Sequence, residues 1–333
     1  MQELHWGLPV IGYLFLAGVG AGAYTVSSSV LLRGGGGGFR GDHFNIARYG
    51  ALLAPIPLIV GTGMIIFELG TFKAAIEQGD IGLFFRWINL FLTINLSPMS
   101  IGSWVLGLCI LASLAYAYTF LAEGSAPGDE KTGLREGLAW IGVPLGISVA
   151  IYTGVMLGAM PARPFWNSPV LAFLFLISSL STGVAGILLV RAMFGTPHAA
   201  PTEGLSGSGG KSENGATYLL ASSDVMLIGF EALAIFLFIM FAHLTIGNPA
   251  YAVSIILPGG DLVTMFWVGV VAVGLVLPAL IELRYVIPTL LHHQPYAMPR
   301  GTEMLVCTLV LLGGFILRYV VVLAGQMTGP VGI

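Results

Sequence analysis

Charge is scarce in this sequence. Asp, Glu, Lys and Arg make up 9% of its 333 residues, against about a quarter in an ordinary soluble domain. Hydrophobic residues make up 56%, and the mean hydropathy is +0.91. With so few charges to hold water at its surface, the chain must use lipid as its solvent. Cysteine is scarcer still: Cys109 and Cys307 both lie in apolar runs, too few and too buried for an iron–sulfur cluster or a zinc site. A bis-histidine haem anchor is equally out of place, because only His243 falls inside an apolar run. His5, His43, His198, His292 and His293 lie at ends or in connections. A net charge of -3 argues against a polyanion, so no nucleic acid is expected as a partner. The N-terminus has no basic region followed by a small-residue cleavage site, so the first apolar run is expected to act as its own insertion signal.

What the sequence has in abundance is long apolar runs. Eight are long enough to cross a membrane at about 20 residues each, over 8–32, 46–70, 99–121, 137–160, 168–194, 218–246, 262–288 and 302–326. They are continuous rather than alternating, which excludes a β-barrel. The expected fold is all-α: a polytopic membrane protein, one integral domain over 1–333, with a bundle of eight transmembrane helices. Lys73, Arg86 and Arg163 lie in connections on the side of the N-terminus. Arg33, Arg40, Arg48, Lys131, Arg135, Arg191, Lys211, Arg284 and Arg300 lie on the other. The positive-inside rule puts that second side in the cytoplasm and both termini in the periplasm. A bacterial inner (cytoplasmic) membrane is the expected location.

The stretch from Gly137 to Trp166 reads as span four followed by a loop carrying Arg163, Pro164 and Trp166. Gly142/Gly146 and Gly154/Gly158 are small-xxx-small pairs that let helices approach closely. At about 100° per residue they point about 120° apart, so two close neighbours are expected. Tyr152 falls in the remaining sector, about 12 Å below the helix end. A phenol at that depth needs a hydrogen-bond partner, which suggests a polar cavity reached from the following loop. The alternative is a tyrosine of the interfacial belt.

Elsewhere, Gly18 and Gly22 suit close packing in span one, with Tyr13 near its outer end. Pro55 and Pro57 should kink span two, which ends near Glu68. The segment 71–98 is half apolar and suits a surface-lying or re-entrant stretch. Ser97 is placed to cap span three and Pro98 to take its first turn. The glycine run at 34–38 and the GGKS at 209–212 lack the strand and spacing of a phosphate loop. Span six is unusual in holding Asp224, Glu231 and His243. Intramembrane ionisable groups are functional candidates. Asp224 and Glu231 are seven apart on one face, and His243 lies near the outer end, an order that suits a proton path. Glu282 and Arg284 in span seven read as a structural ion pair. Arg318 in span eight needs an acidic or carbonyl partner, and Glu68 lies at a comparable depth.

The segments YLFLAGVGAGAY, SPMSIGSW and YTGVMLGAMPARPFWNSP, with eight spans and outside termini, resemble the NrfD/polysulfide-reductase membrane-subunit family. The similarity is clearest over about residues 6–185. The resemblance implies a quinone (menaquinone or ubiquinone) held near the outer face, with no haem or iron–sulfur cluster in this chain. It implies a periplasmic four-cluster ferredoxin-like iron–sulfur partner subunit and, through it, a molybdopterin-type catalytic subunit. Tyr152 matches the family's quinone-holding tyrosine, with Arg163 to Trp166 as its signature. Tyr13 falls near the place of a family histidine, which leaves the second carbonyl partner open between Tyr13 and His5. A quinol site also needs a base, for which Glu68 and His243 are placed. The expected function is therefore a haem-free quinone/quinol-reactive subunit of a respiratory oxidoreductase, with Asp224, Glu231 and His243 as a proton path. The alternative is a secondary transporter with a midplane polar site.

Overall fold

In hydrocarbon the backbone must satisfy its own hydrogen bonds, and a chain of continuous apolar runs can do so only as helices. The computed structural model describes residues 6–34, 43–68, 76, 78–89, 97–121, 131–195, 208–292 and 296–329; it contains helices and no strand among these. Eight helical stretches are long and apolar enough to cross a membrane: Leu8–Arg33, Phe44–Phe67, Met99–Leu121, Thr132–Gly158, Pro169–Phe194, Thr217–Leu244, Met265–His292 and Arg300–Met327, here spans one to eight. They agree with the sequence expectation in number and order.

Local sequence explains the breaks and starts. Span two is interrupted at Ala54, between helices Phe44–Leu53 and Pro55–Glu68, where proline removes a helical amide. Span three starts at Pro98, and Ser97 Oγ accepts from the Ser100 amide at 3.2 Å. Span five starts the same way, with Ser168 capping Val170 ahead of Pro169. Span seven opens with a π-helical stretch, Met265–Val276. Its last wide-ring bond precedes Pro278, which has no amide hydrogen to continue that register. Within 71–98 the described residues include a short helix, Ile81–Phe84, and a 3-10 turn, Arg86–Ile88.

Spans one and five are the buried centre. Span one touches spans two, four, five and eight; span five touches one, two, four, six and eight; span three packs on two and four, and span seven on six and eight. Glycine makes the central contacts close. A Cβ at Gly22 would strike the Ser179 carbonyl, and one at Gly183 the backbone of Gly22 and Ala23. The two glycine pairs of span four do face two partners: Gly142 and Gly146 meet Tyr24, Ser28 and Thr25 of span one, and Gly154 meets Leu171 and Ala172 of span five. Gly274 and Gly313 bring spans seven and eight together in the same way. Such contacts replace the hydrophobic driving force that lipid does not supply.

A Gly22→Leu substitution should destabilise the bundle by about 1–3 kcal/mol through overpacking. Gly63→Ala, where nothing lies within 4 Å of the new methyl, should be neutral. Thermal unfolding in detergent checks both.

Candidate functional site

Two arrangements bring polar side chains together inside the bundle. The first lies towards the end where the chain termini meet. Tyr13 of span one is buried, Tyr152 of span four is half-buried, and the two phenols lie near each other. Neither hydroxyl hydrogen-bonds another described residue. The Tyr152 ring lies in the space left by Gly102 of span three, where any β-carbon would overlap it. The third sector of span four therefore faces span three through Tyr152. Glu68 is the last residue of its helix, but its side chain lies outside the described residues, as does His5.

Beside this pair the segment entering span one is clasped to the end of span eight and to the loop after span four. Trp6 stacks on Trp166 with ring centroids 5.1 Å apart. The Gln326 side chain accepts from the Trp6 amide and donates to its carbonyl, each at 3.1 Å. Trp166 Nε1 donates to the Val321 carbonyl at 2.7 Å, and Arg163 donates to that of Gln326 at 3.0 Å. Arg163, a cofactor-binding candidate from the resemblance, spends this donor on holding the loop after span four to the end of span eight.

The second arrangement is a row of buried ionisable groups between spans five, six, seven and eight. Asp224, Glu231 and Arg318 are 1%, 4% and 0% exposed. Ser181 donates to Asp224 at 2.8 Å, and Ser178 hydrogen-bonds Glu231. Arg318 donates to Ser178 at 2.6 Å, to Ser179 at 3.2 Å and to the Gly314 carbonyl at 2.9 Å. Its guanidinium also lies over the rings of Phe175 and Phe15. The expected partner of Arg318 was Glu68; the structure gives it the serines and, electrostatically, Glu231. The sequence match of depth between Glu68 and Arg318 carried no information about which helix faces which.

Two other expectations differ. Glu282 and Arg284 do not form an ion pair: two residues apart on a helix they point to different sides, Glu282 buried and Arg284 exposed. A buried ion pair does form between Arg191 and Glu303, at the Lys/Arg-rich ends of spans five and eight, at 2.7 Å. His243 is exposed at the end of span six and does not join Asp224 and Glu231. Ser178, Ser179, Ser181, Arg191 and Glu303 were missed. The SSLST run at 178–182 was the available signal, since clustered hydroxyls in an apolar run ask for partners.

A profile of the family described as Polysulphide reductase, NrfD matches residues 1–330. The chain belongs to this family. It is 29% identical to the C chain of the polysulfide reductase of Wolinella succinogenes, over 97% of this chain and 94% of that one. It is 25% identical to Protein NrfD of Escherichia coli, over 98% and 96%. The C subunit of the selenate reductase of Mesobacillus selenatarsenatis is 23% identical, over 83% of this chain and 66% of that one. Family and spans together make this NrfD-family member a multi-pass protein of the bacterial inner membrane.

Removing one partner of a buried charge pair leaves the other uncompensated. Arg318→Met should cost about 3–5 kcal/mol. Adding Glu231→Leu should recover part of that loss, so the double-mutant cycle measured by thermal unfolding should be non-additive.

Proposed function

We propose that this chain is the haem-free, quinone-reactive membrane anchor of a respiratory oxidoreductase. In this role it exchanges electrons between menaquinol or ubiquinol and a periplasmic iron–sulfur subunit. A molybdopterin-type catalytic subunit lies beyond that partner. Two of the relatives are named as parts of a polysulfide reductase and a selenate reductase, which supports a place in a multi-subunit oxidoreductase. The Lys/Arg distribution supports a cytoplasmic location for the Lys/Arg-rich end and, with it, a periplasmic Trp6–Gln326 clasp.

One observation carries the reading: Tyr13 and Tyr152, from two spans, lie near each other while neither hydroxyl is bonded to a described residue. In lipid an unmatched phenol is costly, and a lipid-soluble carrier with two ring oxygens meets that need. A phenol both donates and accepts, so the same pair suits the oxidised and reduced carrier. When bound, the quinone supplies two-electron, two-proton redox chemistry. The protein's own part is to orient the ring through Tyr152, seat Tyr152 against Gly102, and keep water out with the clasp above. Glu68, at the end of span two, is the proposed base that takes the proton. Asp224 and Glu231 form the proposed proton path through span six, with His243 exchanging protons at the exposed outer end.

Tyr152→Phe keeps the ring and removes the hydroxyl. Losing one hydrogen bond of about 1–3 kcal/mol should lower quinol-dependent electron transfer roughly ten- to a hundredfold while the complex still co-purifies. Full quinol turnover in that variant removes Tyr152 from the mechanism. Glu231→Gln should lower proton uptake from the Lys/Arg-rich side during turnover, read with a pH-sensitive dye in liposomes; unchanged stoichiometry makes Glu231 a packing residue.

A further inference from the structure

The carboxyl that the proposed path does not use is the one with the least support. Glu282 of span seven is 2% exposed, and its Oε2 has no hydrogen-bond partner among the described residues. It lies in the field of two more carboxyls, Asp224 of span six and Glu303 of span eight. Arg191 of span five, Cys307 of span eight and Tyr296, in the connection between spans seven and eight, belong to the same cluster.

Charge balance says what this cluster holds. Along the buried row there are four carboxyls, Asp224, Glu231, Glu282 and Glu303, and two guanidiniums, Arg191 and Arg318. Four minus two leaves two negative charges that low-dielectric surroundings do not tolerate, so the row binds about two protons instead. Glu303 keeps its charge, because both of its oxygens accept from Arg191 Nη2, at 2.7 and 2.9 Å. Glu231 takes a hydrogen bond from Ser178 and lies in the field of Arg318, so the second guanidinium is matched to this carboxyl. The protons therefore belong to Asp224 and Glu282. These two are neighbours on different spans, at the end of the row nearer Arg191 and Glu303.

Between this pair and the Lys/Arg-rich end lies a small separate cluster. Tyr296, Val286 and Ala221 are buried there, with Tyr218, Tyr285, Val225 and Met298 packed against them. The rings of Tyr218 and Tyr296 are 5.9 Å apart. Tyr296 also faces Glu282 and Glu303 electrostatically, and burial, then these carboxyls, push its phenol above the usual range. It stays neutral, able to donate or accept at the inner side of an otherwise greasy plug.

We infer that Glu282 and Asp224 form a proton-loading pair that takes protons from the Lys/Arg-rich side past Tyr296 and passes them to Glu231. The inference rests on the proton-path reading above and moves its mouth from span six to spans seven and eight. Each step is a bare proton transfer. From the loaded pair, Asp224 yields its proton to the Glu231 carboxylate. The Asp224 carboxylate takes the proton of Glu282, and the Glu282 carboxylate regains one from hydrated protons reaching the plug. The pair's total charge is unchanged by the transfer from Glu282 to Asp224. Arg191–Glu303 stays paired throughout and holds the local field constant.

The test uses the complete complex that includes this protein, in liposomes driven by quinol. Infrared spectra are recorded for the same preparations. In Glu282→Gln, a protonated-carboxyl C=O band should disappear and proton uptake should fall at least about tenfold. Glu231→Gln should lower uptake likewise. Glu282→Asp should restore a shifted band and part of the uptake, and it serves in place of the amide if that variant does not assemble. Arg284→Gln, exposed two residues away, should leave band and uptake as in the parent. If Glu231→Gln lowers uptake while Glu282→Gln leaves band and uptake intact, the loading pair is overturned and conduction through span six stands. If uptake is unchanged in both, the proton-path reading falls and this inference with it.

Discussion

Among the described residues, span five is the only helix that both touches the Tyr13-bearing span and donates hydroxyls to the buried charges, and the rest of the arrangement depends on that seam. A carboxyl or guanidinium among apolar helices survives when its hydrogen bonds are made inside the protein. Ser178, Ser179 and Ser181 make them for Glu231, Arg318 and Asp224. Because one helix supplies these partners, spans six and eight are held to it in fixed register. The same Ser179 lies where Gly18 and Gly22 of span one allow contact, so the polar row and the span carrying Tyr13 share a wall.

The other half of the bundle uses a different device for its buried cation. Arg135 is fully buried between the rings of Phe44 and Phe120, 5.0 and 4.8 Å away, and donates to the Thr119 carbonyl. Tyr116 and Ser27 continue the polar contacts towards span two. Aromatic faces and a backbone carbonyl are thus among the partners of this guanidinium, and serine hydroxyls and the field of a carboxyl among those of Arg318.

Much of the fold was legible because membrane solvation writes it in one-dimensional terms. Run length gave eight spans, proline gave the break at Ala54, and the Ser97-Pro98 and Ser168-Pro169 pairs marked helix starts. Glycine spacing even gave the two faces of span four. What failed were pairings between distant helices. Depth along the membrane suggested Glu68 for Arg318, yet rotation about each helix axis decides contact, and no single-span pattern records it. Glu282 and Arg284 were paired by proximity in sequence, although a separation of two sets side chains on different faces. Tyr13 and Tyr152 were legible as candidates, while their mutual approach required knowing that spans one and four pack through Gly142 and Gly146. The Arg191–Glu303 pair spans 112 residues and had no local signature.

Trp6 and Gln326 share two hydrogen bonds although 320 positions separate them. The described helices therefore follow a nearly closed circuit, with the start of span one and the end of span eight at one spot beside the loop of Trp166. A short tether between residues 6 and 329 would complete that circuit without rerouting any helix, and the opening could then be moved to a connection at the opposite membrane face. In such a rearranged molecule the clasp would become an ordinary internal loop.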